Sequence, residues 1–227
     1  MFALKNAWTS VVAGSGTTVD SGTFTPAEGD ILVVWGLAAF DNTKTLSMSD
    51  TFGDGGAWIA AGSVLQDGVQ TFSAQQIFYK VVAAGAGSGK HTLTSSGTQT
   101  NMLMHHASYT GKVGGVGNSA GFAAHQPTPD PTNGAGLAVF KGSLVITGLF
   151  SNNSGTTAGS GFGNNLLSQS INAENTEDGV FTAQTITSFW VNAGNTTWAS
   201  VVAELKSSSM VPGYGPDRNG VNTNLRR

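Results

Sequence analysis

Residues 31–39 read ILVVWGLAA, apolar throughout, with Glu28-Gly29-Asp30 before them and Asp41-Asn42 soon after. The run is too short for a core helix and rich in β-branched and aromatic residues, so it predicts a strand. Alternation puts Ile31, Val33, Trp35 and Leu37 on one face and Leu32, Val34 and Gly36 on the other. Both faces are apolar, so the strand must be covered on both sides. A chain built around such a strand has to stack layers, and the remaining sequence must supply them.

A second run does the same. Residues 144–154 read LVITGLFSNNS, and Gly36-Leu37 recurs 112 positions later as Gly148-Leu149. Asp67-Gly68-Val69 recurs as Asp178-Gly179-Val180, 111 positions later. Two anchors at nearly one offset predict an internal pseudo-duplication. Most other apolar segments are also short and bounded by Gly, Asn, Asp or Ser, which is the pattern of strands and tight turns. Strands are expected near 7–13, 17–25, 30–40, 44–50, 57–66, 70–83, 90–97 and 101–110, then 136–141, 143–151, 165–172, 179–192 and 196–206. Gly and β-branched residues interrupt every helical window. The expectation is an all-β fold, a two-sheet antiparallel sandwich occupying 1–206, with halves of about 1–112 and 136–206.

Two segments lie outside that pattern. Residues 111–135 (GKVGGVGNSAGFAAHQPTPDPTNGA) predict a long irregular connection, a strap over 113–135. Pro127, Pro129 and Pro131 at alternate positions favour extended backbone there. Residues 207–227 have almost no core-forming pattern and predict a C-terminal extended arm. Arg218, Arg226 and Arg227 outweigh Asp217 in it, while the whole chain carries a net charge of −3. A basic end on an acidic body suits docking on an acidic neighbour. The strap prolines, Tyr214 and these three arginines are therefore the candidate partner-binding residues.

Charged residues are only 10% of the chain, against about 25% in ordinary domains, so Ser, Thr, Asn and Gln solvate the surface. Such a surface repels neighbouring subunits weakly and suits a homo-oligomer. The small net charge argues against nucleic acid, and no apolar run is long enough to span a bilayer. With no cysteine, disulfide and thiolate chemistry are excluded. The start of the chain lacks the basic and apolar regions of a signal peptide.

Catalytic and ligand motifs are weak. AGAGSGKHT at 84–92 has Ala84 where a phosphate loop needs its first Gly and His91 where it needs a hydroxyl. His105 and His106 are adjacent in a strand and so point to opposite faces, which disfavours one shared metal ion, with His91 and His125 as additions. Asp41, Asp50 and Asp54 surround a Gly-rich turn and read as turn caps more readily than as calcium ligands. Glu28, Glu174 and Glu177 sit in turn-like contexts, and no Ser-His-Asp arrangement is present. Trp58, Tyr79, Tyr109 and Trp198 could form a sugar-stacking platform if exposed, but core packing is their expected role. The sequence therefore predicts a non-enzyme with no cofactor and no metal.

The order of signals resembles a family. An SDTFGDG turn is followed by the Trp strand AWIAAGSV and then by DGVQTFSAQQIFYKVVAAGAGSGKHTLTSSGTQ. A strand ending in ASYTG and the final WASVVAELK complete the series. Over residues 30–206 this is similar to the Gly/Thr-rich β-sandwich modules of tailed-phage virion structural proteins and related bacterial surface proteins. The resemblance implies a jelly-roll-like or immunoglobulin-like sandwich used for assembly or surface contact, and it carries over no catalytic residue. The expected role is a bacteriophage capsid decoration or cement protein, located in the virion and assembled in the host cytoplasm. Its partners would be the major capsid protein or other virion subunits. The alternative is a tail- or fibre-associated module binding carbohydrate or a host receptor.

Overall fold

The structure, a computed structural model, describes residues 1–40, 43–62, 65–66, 73–99, 101–128, 132–151, 156–159, 161–168, 173–188, 190–192 and 196–208. They form an all-β protein of packed antiparallel sheets. The first half holds β1 (Ala3–Ala13), β2 (Gly16–Asp20), β3 (Ile31–Ala39), β4 (Leu46–Asp50), β5 (Ile59–Ala60), β6 (Leu65–Gln66), β7 (Ser73–Val81), β8 (His91–Gln99) and β9 (Asn101–Thr110). The second holds β10 (Val113–Thr128), β11 (Thr132–Val139), β12 (Ser143–Ser151), β13 (Thr156–Ala158), β14 (Asn164–Ser168), β15 (Ala173–Phe181), β16 (Gln184–Ser188), β17 (Trp190–Asn192) and β18 (Thr196–Ser207).

The main sheet of the first half has the order β1-β9-β3-β7-β5, with β6 also pairing β7, and a smaller sheet has the order β2-β8-β4. The main sheet of the second half has the order β10-β18-β12-β15-β14, with β11-β16 and β13-β17 as two further pairs. Taken in chain order, the two main sheets use their strands in the same sequence. The pairs β11-β16 and β13-β17 stand where β2-β8-β4 stands in the first half.

The core identifies the layers. Between the two main sheets lie Ile31, Val33, Trp35 and Leu37 of β3, facing Leu144, Ile146 and Phe150 of β12 and Ala199, Val201 and Ala203 of β18. Val34 and Ala38 pack instead with Val19, Leu46 and Leu93 of the small first-half sheet. Val145, Leu149, Trp198 and Val202 pack with Leu137, Val139, Ile186 and Trp190 on the far side of the second half. The molecule is therefore two sandwiches placed back to back. This explains why every residue of β3 and of β12 is buried. Trp35 is wholly buried; an indole that removes ~150–250 Å² from water stabilises by roughly 4–6 kcal/mol before ordering entropy is subtracted.

Two expectations are corrected. The segment read as an irregular strap contains β10, which pairs with β18, and β11, which pairs with β16. Its glycines admit backbone close to a buried carboxylate: a Cβ at Gly117 would lie 2.0 Å from Glu204 Oε2. That oxygen accepts from the Asn118 amide at 2.9 Å, and Oε1 accepts from the Phe140 amide at 2.7 Å. The repeated Gly-Leu also does not mark equivalent positions. Gly36 faces Leu93 of the outer sheet, whereas Gly148 faces Trp35 across the central interface. A one-residue difference in register exchanges the two faces of a strand. Asp178-Gly179-Val180 lies inside β15, and Asp67-Gly68-Val69 falls outside the described residues.

Candidate functional site

Of the residues expected to bind a partner, Pro129, Pro131, Tyr214, Arg218, Arg226 and Arg227 lie outside the described residues. Pro127 lies in β10, a strand at the edge of its sheet, within a register shift between Ala124 and Thr128. Proline cannot donate to a strand ladder, so an edge and an irregularity are where a strand tolerates it.

The turn-capping reading of the aspartates holds, with an addition. Asp50 Oδ1 accepts from the Phe52 amide at 3.2 Å, and its Oδ2 accepts from Trp58 Nε1 at 2.7 Å. Asp54 accepts from the amides of Ala83 and Gly56. Lys80, buried in β7, reaches both carboxylates, at 2.6 Å and 2.5 Å. Burial alone would raise the Asp54 carboxyl; the hydrogen bonds from Lys80 and Ala83 outweigh it and hold the carboxyl below its usual range. This cluster carries its own counter-ion and pins the Gly-rich turn against β7. Asp41 falls outside the described residues. In the glycine-rich 84–92 segment, Lys90 is paired with Asp20, and a strand rather than a helix follows.

The histidines are arranged less simply than their spacing suggests. His105 faces the central interface, where its Nδ1 lies 3.0 Å from Thr176 Oγ1 and its ring meets Trp35 edge-on. His106 points the other way, toward His91 of β8, with ring centroids 4.8 Å apart. His106 is half-buried rather than exposed. Phe24, Phe52 and Trp58 complete an edge-to-face aromatic ring around His91. Burial, with His106 beside each, pushes His91 and His105 down to about 3, so both are neutral at ordinary pH. Among the described residues no group of three His, Cys, Asp or Glu is placed to hold a metal ion.

His91 and His106 form the floor of a cleft of about 460 Å³. One wall is β1, through Asn6, Thr9 and Val11; the other is the irregular segment 22–25, with Phe24 at its centre. Segment 22–25 is tied to the rest of the fold by the Phe24–Gly89 bridge and by packing of the Phe24 ring on Phe52, His91 and His106. Asn6 Nδ2 donates to Ser108 Oγ at 2.6 Å, fixing that wall to β9. Among the described residues, none that lines the cleft is charged. Three of the aromatics weighed as a sugar platform, Tyr79, Tyr109 and Trp198, are buried in the core, and Trp58 is half-buried. Sequence reasoning missed this cleft because its residues come from five separate stretches, which only strand pairing brings together.

The second half hides a different set of groups. Glu174 and Glu177, read from sequence as turn residues, lie buried in β15 together with Asp178. Asp178 Oδ2 accepts from Trp8 Nε1 at 2.7 Å, joining the two sandwiches. Glu177 Oε2 accepts from the Gly159 amide at 2.9 Å, while its Oε1 has no protein partner. Burial pushes the Glu177 carboxyl up to about 9, so it is protonated at neutral pH.

Comparison with known proteins adds no relative: no family model, curated protein or solved structure matches the chain.

Proposed function

We propose that this protein is a structural component of a tailed-phage virion, a capsid decoration or cement protein that acts by protein–protein contact. The observation that carries the reading is the strand order. In each half the main sheet runs first, last, third, seventh in the terms of the first half, β1-β9-β3-β7, with β2-β8-β4 opposite. We read that order as jelly-roll-like, an architecture used by viral capsid and lectin domains. We read the chain as two such units that arose by duplication and stand back to back. The inference from fold to role is by analogy, and the motifs at 30–206 that resemble phage virion modules point the same way.

The physical design suits a scaffold. Both main sheets are covered on both faces, so neither half can shear without exposing its core. The described acid clusters are occupied by Lys80 or by backbone amides, which suits structure rather than turnover. Many weak contacts repeated over a lattice would give avidity, with the proline segment and the basic arm reaching to acidic neighbours.

The test is co-sedimentation with capsids assembled from a major capsid protein encoded in the same genome. The full chain should pellet with capsids in saturable fashion, and truncation after Lys206 should weaken binding. A full chain that stays in the supernatant would end the reading; a truncated chain that binds equally well would remove the arm from it.

A further inference from the structure

The cleft between β1 and segment 22–25 has properties that a purely mechanical scaffold does not require. Its floor contains His91, only 1% exposed, whose Nδ1 and Nε2 both lack a protein hydrogen-bond partner. A neutral imidazole has one donor and one acceptor. Leaving each unmade inside a protein is costly, so buried orphans of this kind call for an explanation. The same ring is enclosed by Phe24, Trp58 and His106. It is thus held in one orientation.

The lining selects a chemical class. With no Lys, Arg, Asp or Glu among its described lining residues, the cleft offers none of them to balance an ionised ligand. It does offer the amide of Asn6, the exposed hydroxyls of Thr9, Thr23 and Thr25, and the half-buried imidazole of His106, next to the flat apolar ring of Phe24. A group that both donates and accepts at close spacing, on a body with an apolar face, is a sugar hydroxyl on a pyranose ring. The volume of about 460 Å³ lies within the range of small-molecule sites.

We propose that this cleft is a binding site for a neutral carbohydrate, whose ring lies against Phe24 and whose hydroxyls bond to His106, Asn6 and the threonines of segment 22–25, above the buried ring of His91. The site goes beyond the scaffold role and stands whether or not the protein sits on a capsid. It also differs from a platform of exposed aromatics, since its specificity comes from a walled cleft with a fixed imidazole.

The experiment is NMR titration of the full chain, labelled with ¹⁵N at histidine. The probes are the methyl glycosides of glucose, galactose, mannose, N-acetylglucosamine and N-acetylgalactosamine. At least one should shift the imidazole nitrogens of His91 and His106 saturably, with a dissociation constant in the millimolar range. Thr23→Trp, at an exposed position of the cleft wall, should weaken that binding by about tenfold or more, equivalent to ~1.4 kcal/mol. Thr185→Trp, exposed on β16, should leave it unchanged. The proposal fails if none of the five glycosides moves either imidazole. It also fails if Thr23→Trp binds like the parent, or if inorganic phosphate or zinc chloride moves these signals where the sugars do not.

Discussion

The two sandwiches share a strand order but solve the problem of buried charge in opposite ways. The first neutralises its interior acids with a cation: Lys80 sits between Asp50 and Asp54, and all three side chains are nearly inaccessible. The second buries Glu174, Glu177, Asp178 and Glu204, and among its described residues no lysine or arginine is buried with them. There, backbone amides take the place of the cation at Glu204, and protonation does so at Glu177. One topology therefore accommodates ion pairing or proton uptake, provided that each oxygen is matched locally. The halves should differ accordingly in what disrupts them.

The largest difference is expected from Lys80→Ala. It leaves two buried carboxylates without their cation, and breaking a buried pair from one side costs about 3–5 kcal/mol. Urea denaturation should show the loss as a lower midpoint, and a loss below about 1 kcal/mol would mean that water reaches Asp50 and Asp54.

Next comes pH. His91 falls from 6.5 to about 3 on folding, so the unfolded chain takes up a proton that the folded chain refuses. Its contribution to stability is present above 6.5 and is lost as pH falls toward 3. Glu177 rises from 4.5 to about 9, so its contribution is full below 4.5, declines as pH rises, and is gone above 9. Each limb can reach one proton, ~1.4 kcal/mol per pH unit. His91→Phe should make the acid limb shallower, and Glu177→Gln should flatten the alkaline limb and stabilise the protein at neutral pH. Identical pH profiles for both variants and the parent would remove the contrast between the halves.

The echoed glycines give a smaller and sharper test. In Gly148→Ala the new Cβ would lie 2.2 Å from Nε1 of the wholly buried Trp35, a rigid ring with no room to turn. In Gly36→Ala it would meet the ends of Leu93 at 2.6 Å and 2.9 Å, and these can rotate away. Overpacking costs about 1–3 kcal/mol; thermal melts should place Gly148→Ala at the upper end and Gly36→Ala at the lower. Equal losses would contradict the opposed faces. The smallest effect is expected from Lys90→Ala, which removes an ion pair to Asp20 whose partners are 42% and 40% exposed. Solvent screening leaves such a pair worth about 0–1 kcal/mol.

Much of the scaffold was legible residue by residue. The run 31–39 is β3, covered on both faces as its two apolar sets require. Residues 143–151 and 101–110 are β12 and β9 as expected. Ala199, Val201, Ala203 and Leu205 of β18 face the central core. The misreadings share one cause. β10 was read as a loop because glycine and proline disfavour strands locally, yet its glycines are needed where Glu204 approaches the backbone. Glu174 and Glu177 were read as turn residues because acids avoid interiors unless partnered, and the Gly159 amide that meets Glu177 comes from another element. Phe140, an aromatic at the end of a strand, is 47% exposed under the Lys206 ammonium rather than buried. For the cleft no local signal existed: Asn6, Phe24, His91 and His106 carry no shared spacing.

Alternation and turn chemistry, which act between near neighbours, were enough for the chain alone to specify strands, their faces and the need for stacked layers. Which strands pair, which face looks inward, and where a carboxylate or an imidazole is left to find its partner were decided by contacts between residues up to 170 positions apart, as in the bond from Trp8 to Asp178. Burial and hydrogen bonding are properties of a place in the fold, and a residue acquires them only when distant segments close around it.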